Sequence, residues 1–557
     1  MKMQAACLLL ACCLTQTGLA GPKPERFAGD EFQINTWELN DQRIPGVATD
    51  TGGNSLVVWQ SQQQPENGWD VFARRLDASG AATEPELRIN AFAAGRQEGQ
   101  HVAALPQGDF VVSWHGQSRS GESQGIYARR VDGQGTPLGS DRPVGGLSEE
   151  LQLLPRVAAA ADDGYLVAWE GRGLFGDTFS IPGQFMSADG TPSGPLLRIS
   201  QQDDTQQRRV DLARGPDGDY MFVWQSSEQD GDSWGVFGRC MSDDGSAGEE
   251  FQINQSTEGA QSQPRVAAMG QRGFAVTWHD NRGRSTFEYR RVMLRHFDRE
   301  CQPLGDERQV NQFDQGIQDL PDIAAADDGS HVLVWHSLPE DFEDQGIYAR
   351  RIDANGDFYG DEIRVNQERE AFQDFPAVDT LPGGGFFAVW ESIGQDESGF
   401  GIFGRRFAGP TAATLSPENG DRQITSVESD FAEPLAVRLH DQWGVGVPGR
   451  TVRFTSRATG PGAVFGNGET TQTVSTDTEG RAVVSARANS AAGSHGVGVE
   501  LVDGEVTTSF KLENAGQAAP AARAVPVGGW PAWLLLVLGL VATAGLSALP
   551  TNRLEPF

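Results

Sequence analysis

The sequence predicts an all-β protein: a seven-bladed β-propeller, then an immunoglobulin-like β-sandwich, then one C-terminal transmembrane helix. Three observations carry this. A tryptophan closing a short apolar run recurs at Trp59, Trp114, Trp169, Trp224, Trp278, Trp335 and Trp390, 54 to 57 residues apart. Past residue 409 the repeat stops while strand-like patterning continues. Near the end an uncharged apolar run, Leu534 to Leu549, approaches the length that spans a bilayer.

Each repeat holds four strand-length segments. In the third, Pro155-Arg156-Val157-Ala158 leads to an Asp163-Gly164 turn and to Tyr165–Trp169. In the sixth, Gly346-Ile347-Tyr348-Ala349-Arg350-Arg351 follows a polar loop and precedes Asp361-Glu362-Ile363-Arg364-Val365-Asn366. The segments are β-branched and aromatic, with Gly, Asp, Asn and Pro between them, and no helical period intervenes. One small sheet cannot bury both faces alone, so such repeats stack into blades. The propeller spans 27–409. Phe27 to Asn35 resembles a fourth strand, whereas the last repeat stops at Arg406-Phe407-Ala408-Gly409 without one. The N-terminal strand is therefore expected to close the last blade and remove an open edge.

With strands a to d counted outward from the axis, a–b and c–d turns share one face, and b–c and d–a loops share the other. The turn face carries tight pairs such as Gln107-Gly108 and Asp328-Gly329. The loop face carries Glu228-Gln229-Asp230-Gly231-Asp232, Glu340-Asp341-Phe342-Glu343-Asp344 and Asp396-Glu397. Loops held on a rigid scaffold are where binding residues collect, so function is expected there. Glu340, Asp341, Asp344, Asp396 and Glu397 are its candidate binding residues. Glu228, Asp230 and Asp232 form a candidate calcium loop, because calcium takes six to eight oxygens from carboxylates and turn carbonyls. The loop lacks a full Asp-x-Asp-x-Asp-Gly pattern, which favours plain solvated turns; no cofactor is otherwise indicated.

Two repeat positions are polar throughout. The residues after the tryptophans are Gln60, His115, Glu170, Gln225, His279, His336 and Glu391. They lie too far apart to share one ion, and hydrogen bonding at blade edges is expected. The third-strand arginines Arg74, Arg129, Arg239, Arg295, Arg350 and Arg405, with Gln184 in the third repeat, are expected to pack along their sheets and pair with carboxylates.

The formal net charge of -32 argues against nucleic acid and anionic membrane surfaces as partners. Cys7, Cys12 and Cys13 lie in the N-terminal apolar segment, leaving Cys240 and Cys301 in the body. Those two occupy different repeat positions, which favours separate thiols over a disulfide, and their pairing stays open. Residues 1–20 form a secretory signal peptide, with Lys2, an apolar stretch and Gly18-Leu19-Ala20 before the cut. The chain is thus expected to be exported.

Residues 410–515 carry about seven strands, the count of an immunoglobulin-like sandwich. Within them Asp441-Gln442-Trp443-Gly444, Val447-Pro448-Gly449-Arg450-Thr451-Val452-Arg453-Phe454 and Thr476-Asp477-Thr478-Glu479-Gly480-Arg481-Ala482 resemble the bacterial Ig-like domains of the invasin and intimin type. That resemblance implies a stalk holding a binding module away from the membrane. The blade repeats resemble those of large secreted or surface-attached bacterial proteins of adhesin-like context. Residues 516–529 form an Ala-, Pro- and Gly-rich linker, 530–549 a transmembrane segment and 550–557 a short tail. The Pro-aromatic lead Trp530-Pro531-Ala532-Trp533 and the apolar span resemble C-terminal sorting signals, although the tail offers only Arg553 where those signals end in a basic cluster.

Signatures of common enzymes are missing: no Gly-x-Ser-x-Gly elbow, no His-Glu-x-x-His helix, no phosphate-binding loop. The expected work is non-catalytic cell-surface binding or adhesion, to an envelope or host glycan or protein. The competing class is a propeller carbohydrate-active enzyme, a glycosidase or polysaccharide lyase using carboxylates such as Asp230 or Asp396. A third is a structural envelope component.

Overall fold

The computed structural model describes residues 29–516 apart from 63–67, 94, 118–123, 146–150, 282–288, 314, 340–344, 397–398, 442–443, 478, 503 and 505. The expected signal peptide, the expected linker beyond Gly516 and the transmembrane segment expected at 530–549 lie outside the described residues. Among the described residues no helix is long and apolar enough to cross a membrane.

Seven antiparallel sheets follow one another around an axis. In the first blade Gln42–Thr49 (a), Ser55–Ser61 (b), Asp70–Leu76 (c) and Leu87–Arg88 (d) run from the axis outward. The inner strands of the other blades are Gln97–Ala104, Gln152–Ala159, Gln207–Arg214, Gln261–Ala268, Ile317–Ala325 and Gln373–Leu381. Each packs against the next, and Gln42–Thr49 packs against both Gln97–Ala104 and Gln373–Leu381, so the ring is closed. The seventh blade takes its outer strand from the N-terminus: Phe32 pairs with Gly404 and Gln33 with Phe403.

Burial explains the repeat. All seven tryptophans sit fully buried on b strands. Apolar clusters bridge every pair of adjacent blades; the one joining the seventh and first blades contains Ile34, Val57, Trp59, Phe387, Val389 and Ile402. Each sheet thus covers its neighbour's apolar face, which no blade could cover alone.

The third-strand arginines differ from the expectation of carboxylate pairing. Each reaches back to a carbonyl beside the preceding blade's outer strand: Arg74 Nη1 donates to Ile34 O (2.6 Å), Arg129 to Ile89 O (2.6 Å), Arg239 to Ile199 O (2.9 Å), Arg295 to Ile253 O (2.7 Å), Arg350 to Val310 O (2.6 Å) and Arg405 to Val365 O (3.0 Å). Short outer strands leave these carbonyls without ladder partners, and a forked guanidinium supplies the missing donor. Gln184 is too short and donates to Phe185, Ser193 and Gly194 carbonyls of its own blade.

Cys240 and Cys301 form a disulfide, with Cα atoms 6.5 Å apart, in place of the separate thiols that their repeat positions favoured. Different repeat positions are what this geometry requires. Cys240 lies on the c strand of blade four, and Cys301 in the c–d turn of blade five, which folds back over its neighbour.

Beyond the propeller, one apolar core including Val437, Val452, Phe454, Phe465, Val497 and Phe510 is shared by a three-stranded sheet (Ala412–Asn419, Leu435–Asp441, Arg481–Val484) and a five-stranded sheet centred on Gly493–Leu501. Along Gly493–Leu501 buried and exposed residues alternate, the two-residue period of a half-buried strand. Tyr359 of blade six ties this unit to the propeller by donating its hydroxyl to Asp441 Oδ2 (3.0 Å).

Candidate functional site

The loop-face mouth of the propeller, around its axis, is built by one device repeated seven times. Every inner strand bulges near its start, shifting register between Arg43 and Gly46, Glu98 and His101, Leu153 and Arg156, Arg208 and Asp211, Ser262 and Arg265, Asp319 and Asp322, and Asp374 and Ala377. Inside each bulge one residue has positive φ: Ile44, Gly99, Leu154, Arg209, Gln263, Leu320 and Phe375. A bulge frees backbone groups from the ladder, and these need other partners.

The residues after the tryptophans supply them. Glu391 accepts from Ile44 N (2.8 Å), Gln60 from Gly99 N (3.3 Å), His115 from Leu154 N (3.4 Å), Glu170 from Arg209 N (2.8 Å) and Gln225 from Gln263 N (3.0 Å). Each bond runs from one blade's b strand to the next blade's inner strand. Arg43 Nη2 also donates to Glu391 (2.6 Å), and Arg208 pairs with Glu170. Burial raises the Glu391 pKa, against the pull of Arg43 and the Ile44 amide.

In blades five to seven the device becomes a charged cluster. His336 Nδ1 donates to Asp319 Oδ1 (3.2 Å) and lies 3.6 Å from Asp374 Oδ1, while Arg290 pairs with Asp319 Oδ2. Burial opposes a charged His336, yet the Asp319 hydrogen bond and the two carboxylates raise its pKa above the usual value. Burial holds neighbouring His279 down to about 4, so that ring is neutral. Aromatic rings back the mouth: Arg43 lies 4.0 Å over Phe400, Arg208 4.2 Å over Phe179, and Phe372 meets His336 edge-on at 5.4 Å.

Three residues beyond each bulge's start, one equivalent position gives Gly46, His101, Arg156, Asp211, Arg265, Asp322 and Ala377. Arg156 lies 3.5 Å from Asp211, and Arg265 3.7 Å from Asp322. His101, Asp211 and Asp322 accept from Val157, Val266 and Val378 amides of the following blades. Burial, with repulsion from Arg265, brings the Arg156 pKa down to about 10, and burial raises Asp211 and Asp322. This position is not among those singled out from the sequence; five polar residues among seven equivalent places, in register with the tryptophans, are the signal that could have found it.

The candidates chosen from sequence sit farther out. Glu228 is exposed; Asp230 accepts from Asn254 Nδ2 (3.2 Å) and Asp232 from Gly259 N (3.0 Å), so both carboxylates pin their loop to the segment that leads from blade four to blade five. Among the described residues no group of three His, Cys, Asp or Glu is placed to hold a metal ion. Asp396 is only 8% exposed and accepts from Gln33 Nε2 (3.3 Å) of the closing strand. Glu340, Asp341, Asp344 and Glu397 lie outside the described residues.

The loop face does expose large apolar side chains. Trp37 is 41% and Leu39 64% exposed in the link between the seventh and first blades, and Leu151, Phe313 and Ile393 are exposed on the same face.

The chain matches no family model and no curated protein. Solved structures resemble about two thirds of it. They include a Dyadobacter fermentans protein of unknown function (10% identity, TM-score 0.41, covering 69% of this chain and 100% of that one). Others are an ulvan lyase from a new polysaccharide lyase family (10%, 0.44, 67% and 95%) and Penicillium chrysogenum alpha-L-arabinanase (12%, 0.39, 68% and 98%). At TM-scores below 0.5 these likenesses say nothing of what this protein binds or turns over.

Proposed function

We propose that this protein is an exported, non-catalytic binding protein that captures a glycan on the loop face of its propeller. In this reading an Ig-like stalk and the C-terminal apolar segment hold it at the cell envelope. The exposure of Trp37, Leu39, Leu151, Phe313 and Ile393 around a polar mouth carries the reading. Exposed apolar groups rimmed by polar ones mark interaction surfaces, and flat rings beside fixed donors and acceptors suit the alternating faces of sugars. The ionisable groups of the mouth are engaged in bonds between blades, which supports recognition over catalysis. The Cys240–Cys301 disulfide supports export, since such bonds persist in oxidising compartments.

A polysaccharide array probed with the chain from Gly21 to Gly516 tests this. Binding to a subset of glycans, reduced at least tenfold by Trp37→Ala or Phe313→Ala with unchanged thermal midpoint, is the expected result. Unchanged binding in both variants would remove the loop face from consideration.

A second reading, a carbohydrate-active enzyme, is favoured by one observation. His336 Nδ1 is oriented by Asp319, while its buried Nε2 has no hydrogen-bond partner among the described residues, the arrangement of an imidazole ready to take a proton. Breakdown of any polysaccharide on the same array, lost in His336→Gln, would replace the binding reading with this one.

A further inference from the structure

At the opposite end of the propeller, a cleft of about 790 Å³ opens between blades six and seven, the first turn of blade one, and the C-terminal unit. That volume is in the range of ligand sites, and every lining residue is described. Its apolar floor is Leu381, Pro382, Pro410 and, from the C-terminal unit, Pro448, laid over the buried Val332, Ile352, Phe386 and Val447. Its rim is acidic, with Asp50, Asp327, Asp328 and Asp353 on three separate turns.

One cation faces four carboxylates: Arg351 feels the charge of Asp328, and among the described residues Asp50 and Asp353 accept only from their own turns, so the rim stays net negative. Arg351 is turned to the Gly384 carbonyl, where it links blades six and seven. His331 is uncharged at neutral pH, its pKa held down to about 3 by burial and by His296. Asp328 receives Ser330 N and Oγ on one oxygen, Oδ1. Asp327 is exposed and has no hydrogen-bond or ion-pair partner among the described residues.

We propose that this cleft is a docking site for a cationic peptide, whose aliphatic residues rest on the apolar floor while its lysine or arginine side chains meet the four rim carboxylates. Charge complementarity selects this occupant: a neutral glycan would leave the rim unpaired, and a polyamine would leave the floor bare. The floor includes the C-terminal unit, so a bound peptide touches both units and bridges them. The site is on the turn face, opposite the loop face, and does not depend on glycan binding there.

The test is fluorescence anisotropy at 150 mM salt with the chain from Gly21 to Gly516 and a labelled hexapeptide alternating lysine and leucine. Saturable binding is expected, at least tenfold weaker for tetralysine and for spermidine. Asp327→Asn combined with Asp328→Asn should weaken it at least tenfold. Asp327→Asn alone, which breaks no bond of the fold, should weaken it about threefold. Asp204→Asn on the loop face should change nothing. Equal weakening by Asp204→Asn would show diffuse attraction to an acidic protein, and wild-type binding by the double variant would place the peptide elsewhere. Either result overturns the proposal, as does displacement of the peptide by maltohexaose.

Discussion

Asp379 stands where the inner strand of blade seven meets that of blade one. Burial raises its pKa from 3.8 to about 7, with Asp322 adding repulsion, although the Thr380 and Thr49 amides donate to it. A carboxyl whose folded pKa exceeds its unfolded value binds its proton more tightly in the folded state. Its ionisation then costs no stability below about pH 4, costs progressively more from there to about 7, and costs a constant amount above. Thermal unfolding of the wild-type chain should therefore show a midpoint that falls between about pH 4 and 7 and then levels off. Asp379→Asn should flatten that profile and raise the midpoint at pH 8; an unchanged slope would show that other groups set it. Glu391 and Glu170 differ in kind, since each is matched to an arginine and a bulge amide. Their identity after the tryptophan was plain in the sequence, but their partners were not, because those lie in the next blade.

At the scale of the element, the inner strand is the informative unit. Its bulge turns amides toward the preceding blade, and its later residues carry the ladder from His101 to Asp322. Alternation of acceptors in blades two, four and six with arginines in three and five cannot close on an odd number of blades. Gly46 and Ala377 fill the two remaining places. The outer edges are joined differently, by arginine-to-carbonyl bonds and, between blades four and five, by the disulfide. A crosslink spanning 61 residues contributes about 4 kcal/mol through the unfolded chain. Reduction, or Cys240→Ala with Cys301→Ala, is expected to lower the urea midpoint accordingly while leaving the circular dichroism of the folded state unchanged. A midpoint insensitive to reductant would show that blade packing alone sets the stability.

For the whole molecule, closure is the controlling feature. Phe32 and Gln33 pair with the c strand of the last blade, and Ile34 is fully buried between blades seven and one. A chain beginning at Thr36 would leave that c strand as an open edge and uncover Phe387, Val389 and Ile402. Size-exclusion chromatography should then show aggregates or exchanged oligomers eluting ahead of the longer chain. A monomer of unchanged stability would mean that the first strand is dispensable. The C-terminal unit meets the propeller through Tyr359 and Asp441, and the acidic cleft lies beside that contact.

The repeat, its four-strand period and so the propeller are legible in the chain, because a blade's burial pattern is local and recurs with each tryptophan. The two polar columns are legible there as well. What those columns do depends on how the blades meet. The partner of Glu391 is 348 residues away at Arg43, the arginines chose carbonyls over carboxylates, and Cys240 met Cys301 across a blade boundary. Such contacts form between units rather than within them, so their geometry depends on how blades twist and stack. The axial ladder and the acidic cleft exist only once the ring has closed.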